Sequence, residues 1–431
     1  MKVLKLTSYF TIIYIIFILI SGLDIFDVYS QPDRTDDDKR ENSDKEKEVE
    51  VYDQSVEIQL IYDGFDSPVY LGFAGPNDIL VYEKQGFIKR VIDGDLVEKP
   101  LLKLDTEDGT EIFMKGIISK DITKGNIVSH YIFLYYTQCK QNDNCNDLVY
   151  RYELDDEKNL LINPVLLFSL ESFQDSIKDK GIIRLGPDNN LYLNIENFQK
   201  EPGYDGTITH GPAKKEMSWM DCFIQTDLEN DFNSTLGSQN VYIGSDDGHG
   251  LSDPFGADFD PYSGTLWYLE DEVNNGSEIR MLVQPIDNNS SMKMDLFKNV
   301  NKNENFLCAE RDYSDDLKYT EEVNIPLKSL LFLHSHYLGK KNTHNLLVSS
   351  DTNQIFEYDL DRNRNNLKII NDSDSERDTK GFVFAEGFNG LLHVRVNPYD
   401  GLLYILDKKT DGDDDTKGTI YRIEEKTAKK L

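Results

Sequence analysis

Tryptophan, cysteine, histidine and methionine are scarce in this 431-residue chain, at 2, 4, 7 and 7 residues. Basic residues are few for the acidic ones present: Lys plus Arg total 46 against 78 Asp plus Glu, a formal net charge of −32. A chain of that sign repels phosphate, which argues against DNA, RNA or anionic lipid as a partner. The sequence holds no Gly-rich phosphate loop, no Gly-x-Ser-x-Gly elbow and no zinc-ligand cluster, so nucleotide chemistry has no support. Segments of helical period are almost absent. Tyr (24) and Phe (22) are plentiful, a profile that suits strands, and 39% hydrophobic residues supply a real core.

The first 30 residues read as an export signal. Met1 to Lys5 is short and basic, Leu6 to Leu23 is an uncharged stretch rich in Ile, Phe and Tyr, and Val28-Tyr29-Ser30 offers a cleavage site before Gln31. The alternative is an uncleaved N-terminal membrane anchor, since 18 apolar residues just span a bilayer. Either way the rest of the chain is expected outside the cytoplasm, secreted or at the extracellular face of the membrane. Residues 31–55 form a charged tether: from Gln31 to Glu50 nine residues are acidic and five basic, with Val49 the lone aliphatic side chain.

Cys139 and Cys145 bracket a polar run between two strand-like segments, Tyr131 to Tyr136 and Leu148 to Tyr152. A hairpin would bring them together as a disulfide, and Cys222 and Cys308 would then pair by elimination. Both bonds fit an exported protein, as do Asn-x-Ser/Thr sequons at Asn233, Asn275, Asn288, Asn289 and Asn371.

From residue 56 to about 425 a loose unit recurs: strand, turn, second strand, third strand. The second strands carry Leu80, Phe133, Leu191, Leu266, Leu346 and Leu403, spaced by 53, 58, 75, 80 and 57 residues. Four of the turns are near-copies, at Ala74 to Asp78, Leu185 to Asn189, Phe259 to Gly264 and Val396 to Gly401; each sets Pro before Asn, Asp or Gly. Six such units predict an all-β, six-bladed β-propeller over residues 56–425, with a tail at 426–431. In that architecture the loops at one end of the central channel carry the function.

The ordered set of blade motifs resembles the glucose/sorbosone dehydrogenase family, the soluble quinoproteins. It comprises Ser67 to Phe73 with Gly75 to Glu83, Leu148 to Leu154, Gly186 to Leu193, Asp253 to Pro261 with Asp271-Glu272-Val273-Asn274, and Gly418 to Ile423. The resemblance covers residues 58 to 424. It implies pyrroloquinoline quinone (PQQ) and calcium at the channel mouth, and oxidation of an aldose sugar at its anomeric carbon by a histidine base. Carried over residue by residue, Lys178 occupies the position of the histidine base, Asp253 and Asn274 fall at cofactor-binding positions, and Asp271 and Glu272 at calcium positions. The sequence departs from the pattern at several of these points. The family's His-x-Gly-Gly reads Lys178-Asp179-Lys180-Gly181, its Arg-Asn-Pro reads Ser252-Asp253-Pro254, and its paired arginines read Leu391-Leu392-His393, with Arg395 the nearest cation. Two readings follow: a PQQ-dependent sugar dehydrogenase, or a non-catalytic propeller that binds a sugar, a cell-surface carbohydrate or a protein.

Three further clusters carry less. His334-x-His336 has the one-face spacing of a metal pair but no third ligand. The loop Ser245 to Gly250 could bring His249 to the mouth. Asp411-Gly-Asp-Asp-Asp415 resembles a calcium loop, yet its twelfth position is Arg422.

Overall fold

Alternation of apolar and polar residues, interrupted by Pro-Asn and Pro-Tyr turns, dictates strands, and every regular element among the described residues is one. The computed structural model describes residues 49–106, 109–140, 144–172, 181–187, 191–199, 219–226, 241–243, 256–271, 277–282, 317–323, 326–333, 338, 345–364, 367, 383–410 and 416–426.

These strands form six antiparallel sheets in chain order. Sheet 1 holds Pro68–Gly75, Asp78–Glu83, Phe87–Ile92 and Asp95–Leu96, with Leu102–Lys103 alongside. Sheet 2 holds Glu111–Lys124, Ile127–Lys140, Asn144–Asp155 and Leu160–Ser172. Sheet 3 holds Ile183–Leu185, Leu191–Gln199, Trp219–Thr226 and Val241–Ile243, and sheet 4 holds Gly256–Phe259, Leu266–Asp271, Ser277–Leu282 and Leu317–Val323. Sheet 5 runs Leu327–Phe332, Leu346–Ser350, Ile355–Tyr358 and Val383–Glu386. Sheet 6 takes Leu391–Val396, Leu403–Thr410 and Thr416–Glu425 from the end of the chain and Val56–Asp66 from its beginning.

Three of the four turns read from the sequence, at Ala74 to Asp78, Phe259 to Gly264 and Val396 to Gly401, lie wholly among the described residues and form as their chemistry requires. Asn77 adopts φ 51°, the left-handed region that Asn tolerates. Asp260 accepts the Tyr262 N–H at 3.0 Å and Asn397 Oδ1 the Tyr399 N–H at 2.9 Å, closing two matching side-chain turns.

Apolar faces are buried sheet against neighbouring sheet. Leu80, Tyr82 and Ile88 of sheet 1 pack with Ile117, Leu134 and Tyr136 of sheet 2. Tyr192 of sheet 3 meets Phe259 of sheet 4 with ring centroids 4.8 Å apart. Trp267 of sheet 4 meets Phe332 of sheet 5 at 6.2 Å. Leu347, Ile355 and Phe384 of sheet 5 pack with Val394, Leu403 and Ile405 of sheet 6. Finally Phe65, Tyr404 and Ile420 of sheet 6 pack on Leu71, Phe73 and Val81 of sheet 1. Sheets 2 and 3 touch at Gly116, where a Cβ would lie 1.9 Å from Ile183 Cγ2.

The tether expected over 31–55 ends earlier than its composition implies. Glu50–Val51 adds a fifth strand to sheet 5, Val51 opposite Ala385, and the Tyr52 N–H donates to Phe384 O at 3.0 Å. Charge alone misled here, because Val49 and Val51 find an apolar cluster supplied by distant strands. Cys139 and Cys145 face each other across the hairpin and form the expected disulfide. Cys222 lies in sheet 3 opposite Ile195, and Cys308 lies outside the described residues.

Two stability predictions follow from this packing. Gly116→Val has no space at the junction of sheets 2 and 3 and lowers unfolding free energy by at least about 1–3 kcal/mol in denaturant titration. Replacing Cys139 and Cys145 together by Ser opens a short loop and costs about 2 kcal/mol in the same assay.

Candidate functional site

The leading strands of neighbouring sheets approach one another, so their side chains can meet between sheets. Five do. Tyr70 comes from sheet 1, Arg184 from sheet 3, Asp258 from sheet 4, and His393 and Arg395 from sheet 6. The Tyr70 ring lies 4.0 Å from the His393 ring and 5.8 Å from the Arg395 guanidinium. Arg184 Nε stands 3.8 Å from Asp258 Oδ1, and Asp258 Oδ2 accepts the Phe332 N–H of sheet 5 at 2.9 Å. Arg184 Nη1 donates to Ile183 O at 2.9 Å.

Arg184 thus pairs with Asp258, and Arg395 lies near enough to feel the charge of both. Protein surrounds His393 and Arg395, yet both keep part of their surface accessible. Burial, with Arg184 nearby, pulls Arg395 down to about 10, so it remains a cation at neutral pH. Burial, then Arg395 and Arg184, holds His393 well below the usual imidazole range. The Leu71 N–H donates to His393 Nδ1 at 3.2 Å, which places the imidazole proton on Nε2. With Nδ1 occupied and Nε2 protonated, His393 can donate a hydrogen bond to a ligand but has no free lone pair with which to take a proton from one. The arrangement can bind an oxygen-rich ligand; its one imidazole is not set up as a general base.

The start of the last leading strand is firmly braced. Asp407 accepts the N–H groups of Asn389 and Gly390 at 3.1 and 2.8 Å. Asn353 Oδ1 accepts that of Leu391 at 2.9 Å, and Lys328 Nζ reaches Leu391 O at 3.4 Å. Burial raises the Asp407 carboxyl, with the backbone donors opposing it. On this braced segment, where the resemblance places paired arginines, Leu391 is buried and Leu392 packs against the cluster between sheets 6 and 1. A tricarboxylate cofactor needs cationic donors; Leu391 and Leu392 supply none, and the cations near them are Arg395 on the same strand and Arg184 of sheet 3.

Most of the residues selected from sequence lie elsewhere. Lys178, Asp253, Glu272 and Asn274 fall outside the described residues, as do His249, His334, His336 and Asp411 to Asp415. Asp271 closes the strand Leu266–Asp271, its backbone opposite Ser277. Among the described residues no group of three His, Cys, Asp or Glu is placed to hold a metal ion.

Arg184 and Asp258 were not singled out from sequence; the available signal was a charged residue inside an otherwise apolar leading strand. Lys115 was missed in the same way. It sits at a bulge in sheet 2, 2% exposed, with Nζ 3.3 Å from Asp147 Oδ1 and 5.4 Å from the Tyr135 ring centroid. Gly181, which directly follows Lys178-Asp179-Lys180, lies against it: a Cβ there would be 2.3 Å from Lys115 Cδ.

No family profile matches the chain, and no curated protein does. Solved structures do. The soluble aldose sugar dehydrogenase of Escherichia coli, in its apo form, is similar at 15% identity and TM-score 0.50, covering 86% of this chain and 100% of its own. An oxidoreductase (glucose dehydrogenase) from Thermus thermophilus is similar at 17% identity and TM-score 0.51, covering 85% of this chain and 99% of its own. A third structure, a glucose dehydrogenase, gives 15% identity and TM-score 0.52 over 85% of this chain and 99% of its own. The chain therefore has the fold of the soluble sugar dehydrogenases.

A pH prediction follows from His393. Its folded pKa lies below the ordinary 6.5, so between the two values the unfolded chain binds a proton that the folded chain does not. The contribution is complete above about pH 6.5 and is lost as pH falls below it, by at most about 1.4 kcal/mol per pH unit. His393→Gln keeps an acceptor for Leu71, and urea titrations from pH 7 to 5 should show a shallower loss of stability for this variant than for the wild type.

Proposed function

We propose that this chain is an exported six-bladed β-propeller of the glucose/sorbosone dehydrogenase type that retains a sugar-binding scaffold without the quinone chemistry. Its ligand is a sugar or a cell-surface carbohydrate, taken at the channel mouth. The observation that carries this reading is the braced strand start at Leu391 and Leu392, apolar where the quinone's carboxylates would need arginines. Support for six blades comes from the six sheets, each packed on the next and the sixth on the first. Export rests on the N-terminal signal pattern, the sequons and the Cys139–Cys145 disulfide.

The rival reading is a working PQQ- and calcium-dependent aldose dehydrogenase. It is favoured by the Asp271-Glu272-Val273-Asn274 motif and by the dehydrogenase folds of the similar structures. In that reading Lys178 replaces the base, Asp253 and Asn274 contact the quinone, and Asp271 and Glu272 hold calcium.

A titration of the purified chain with PQQ, with and without calcium, followed by aldose-dependent dye reduction, separates the two. The proposal expects no saturable quinone binding and no reduction with any aldose, while sugars or oligosaccharides still bind. Calcium-dependent micromolar PQQ binding with aldose oxidation would establish the dehydrogenase instead.

A further inference from the structure

Three charges of the cluster come from one position of the repeat. Arg184, Asp258 and Arg395 each stand three residues before the proline of a turn, Pro187, Pro261 and Pro398, near the end of a leading strand. Their strand neighbours are apolar: Ile183 and Leu185, Ala257 and Phe259, Val394 and Val396. Ala257 and Phe259 pack in the core shared by sheets 3 and 4, and Val394 and Val396 in that shared by sheets 5 and 6. Successive strand residues point to opposite faces, so the charge between each apolar pair turns away from that core.

Arg184 is engaged, by Asp258 at 3.8 Å and Ile183 O at 2.9 Å, and Asp258 is engaged by the Phe332 N–H as well. Arg395 is not. Its guanidinium lies over the Tyr70 ring, and among the described residues it makes no hydrogen bond and no ion pair. The His393 Nε2 proton likewise meets no acceptor among the described residues, since the ring's one hydrogen bond is made at Nδ1. None of these nitrogens is sealed from solvent, and both side chains are half-buried. The two residues share one strand face and lie against the same Tyr70 ring, so their unmatched donors are side by side. Arg184 is close enough to weaken Arg395 as a cation, and an anion bound here relieves that repulsion.

We infer that this cluster recognises the carboxylate of an acidic monosaccharide, a hexuronate, through the Arg395 guanidinium with the His393 Nε2–H as a second donor. The inference rests on the proposed sugar-binding function and names the class of sugar. A guanidinium held by its face leaves its N–H edge for a planar carboxylate, which it binds through two parallel hydrogen bonds. The imidazole N–H then serves a sugar hydroxyl or the ring oxygen. Among the described residues two guanidiniums and one carboxylate meet here, one positive charge in all. That charge matches a monocarboxylate and falls short of a phosphate dianion or a tricarboxylate. The chain's net charge of −32 repels a polyanion, which favours a single acidic sugar over a polyuronate.

The test is calorimetric titration of the full chain with D-glucuronate, its neutral amide D-glucuronamide, D-glucose, inorganic phosphate and PQQ, repeated with Arg395→Gln and Arg395→Lys. The inference expects saturable glucuronate binding about tenfold or more tighter than that of glucuronamide or glucose, the effect of one charge-assisted pair. Arg395→Gln should erase that preference while leaving glucose binding within about twofold, and Arg395→Lys, which keeps the charge without the fork, should retain part of it. Should Arg395→Gln fail to fold, the wild-type comparison of acid with amide and the lysine variant still decide. Glucose and glucuronamide binding as tightly as glucuronate overturns the inference and leaves the proposed function intact. A preference that survives Arg395→Gln places the carboxylate elsewhere and also overturns it. Phosphate binding tighter than glucuronate overturns it in favour of a general oxyanion site. PQQ binding lost in Arg395→Gln, or no sugar bound at all, overturns the inference and the proposed function together.

Discussion

Each sheet in this protein has two faces to cover, and only its neighbours can cover them. That constraint governs the rest. Sheet 6 has three strands from the end of the chain, and its outer strand Thr416–Glu425 would present an unpaired edge without Val56–Asp66. Pairing Val56 with Glu425 and Ile58 with Ile423 joins the two ends of the chain in one sheet, and Phe65 carries the contact into the cluster shared with sheet 1. Glu50–Val51 repeats the device one sheet earlier, on the edge of Val383–Glu386. The N-terminal segment therefore pairs with two sheets formed from the C-terminal part of the chain.

The packing of successive sheets in turn brings together the cluster of Tyr70, Arg184, Asp258, His393 and Arg395. Arg184, Asp258 and Arg395 are far apart in sequence and belong to sheets 3, 4 and 6, so their encounter depends on the sheets packing in series. Crowded by another guanidinium and by burial, Arg395 is a less comfortable cation than a surface arginine, and His393 beside it stays neutral. The cluster holds positive potential and hydrogen-bond donors in a partly dehydrated space, while its one imidazole is spent on the Leu71 backbone. Among the described residues the cluster offers donors to a ligand, and its imidazole offers no free lone pair.

The strands and turns were legible because their causes are local. Pro-Asn and Pro-Tyr turns specify themselves, and the Cys139–Cys145 pair needed only a hairpin between two aromatic-rich strands. Glu50–Val51 was not legible, since its neighbours Phe384 and Ala385 are more than 300 residues away in a charged sequence context. Arg184 and Asp258 were hard to see for a related reason: a charge inside a short apolar strand is a weak local signal, and the partners that give it meaning lie in other sheets. The family resemblance pointed instead to the loops at the mouth. It also placed paired arginines where this chain has Leu391 and Leu392, residues that lie in braced, apolar surroundings.

The account rests most heavily on the closing pair, and native-state hydrogen exchange reads it directly. Amides of Val56–Asp66 that are bonded to Thr416–Glu425 should exchange with the same opening free energy as those between Leu403–Thr410 and Thr416–Glu425, because sheet 6 opens as one unit. Fast exchange confined to Val56–Asp66, with the remaining strands of sheet 6 fully protected, would show that the N-terminal strand is not an integral part of sheet 6 and would contradict the account.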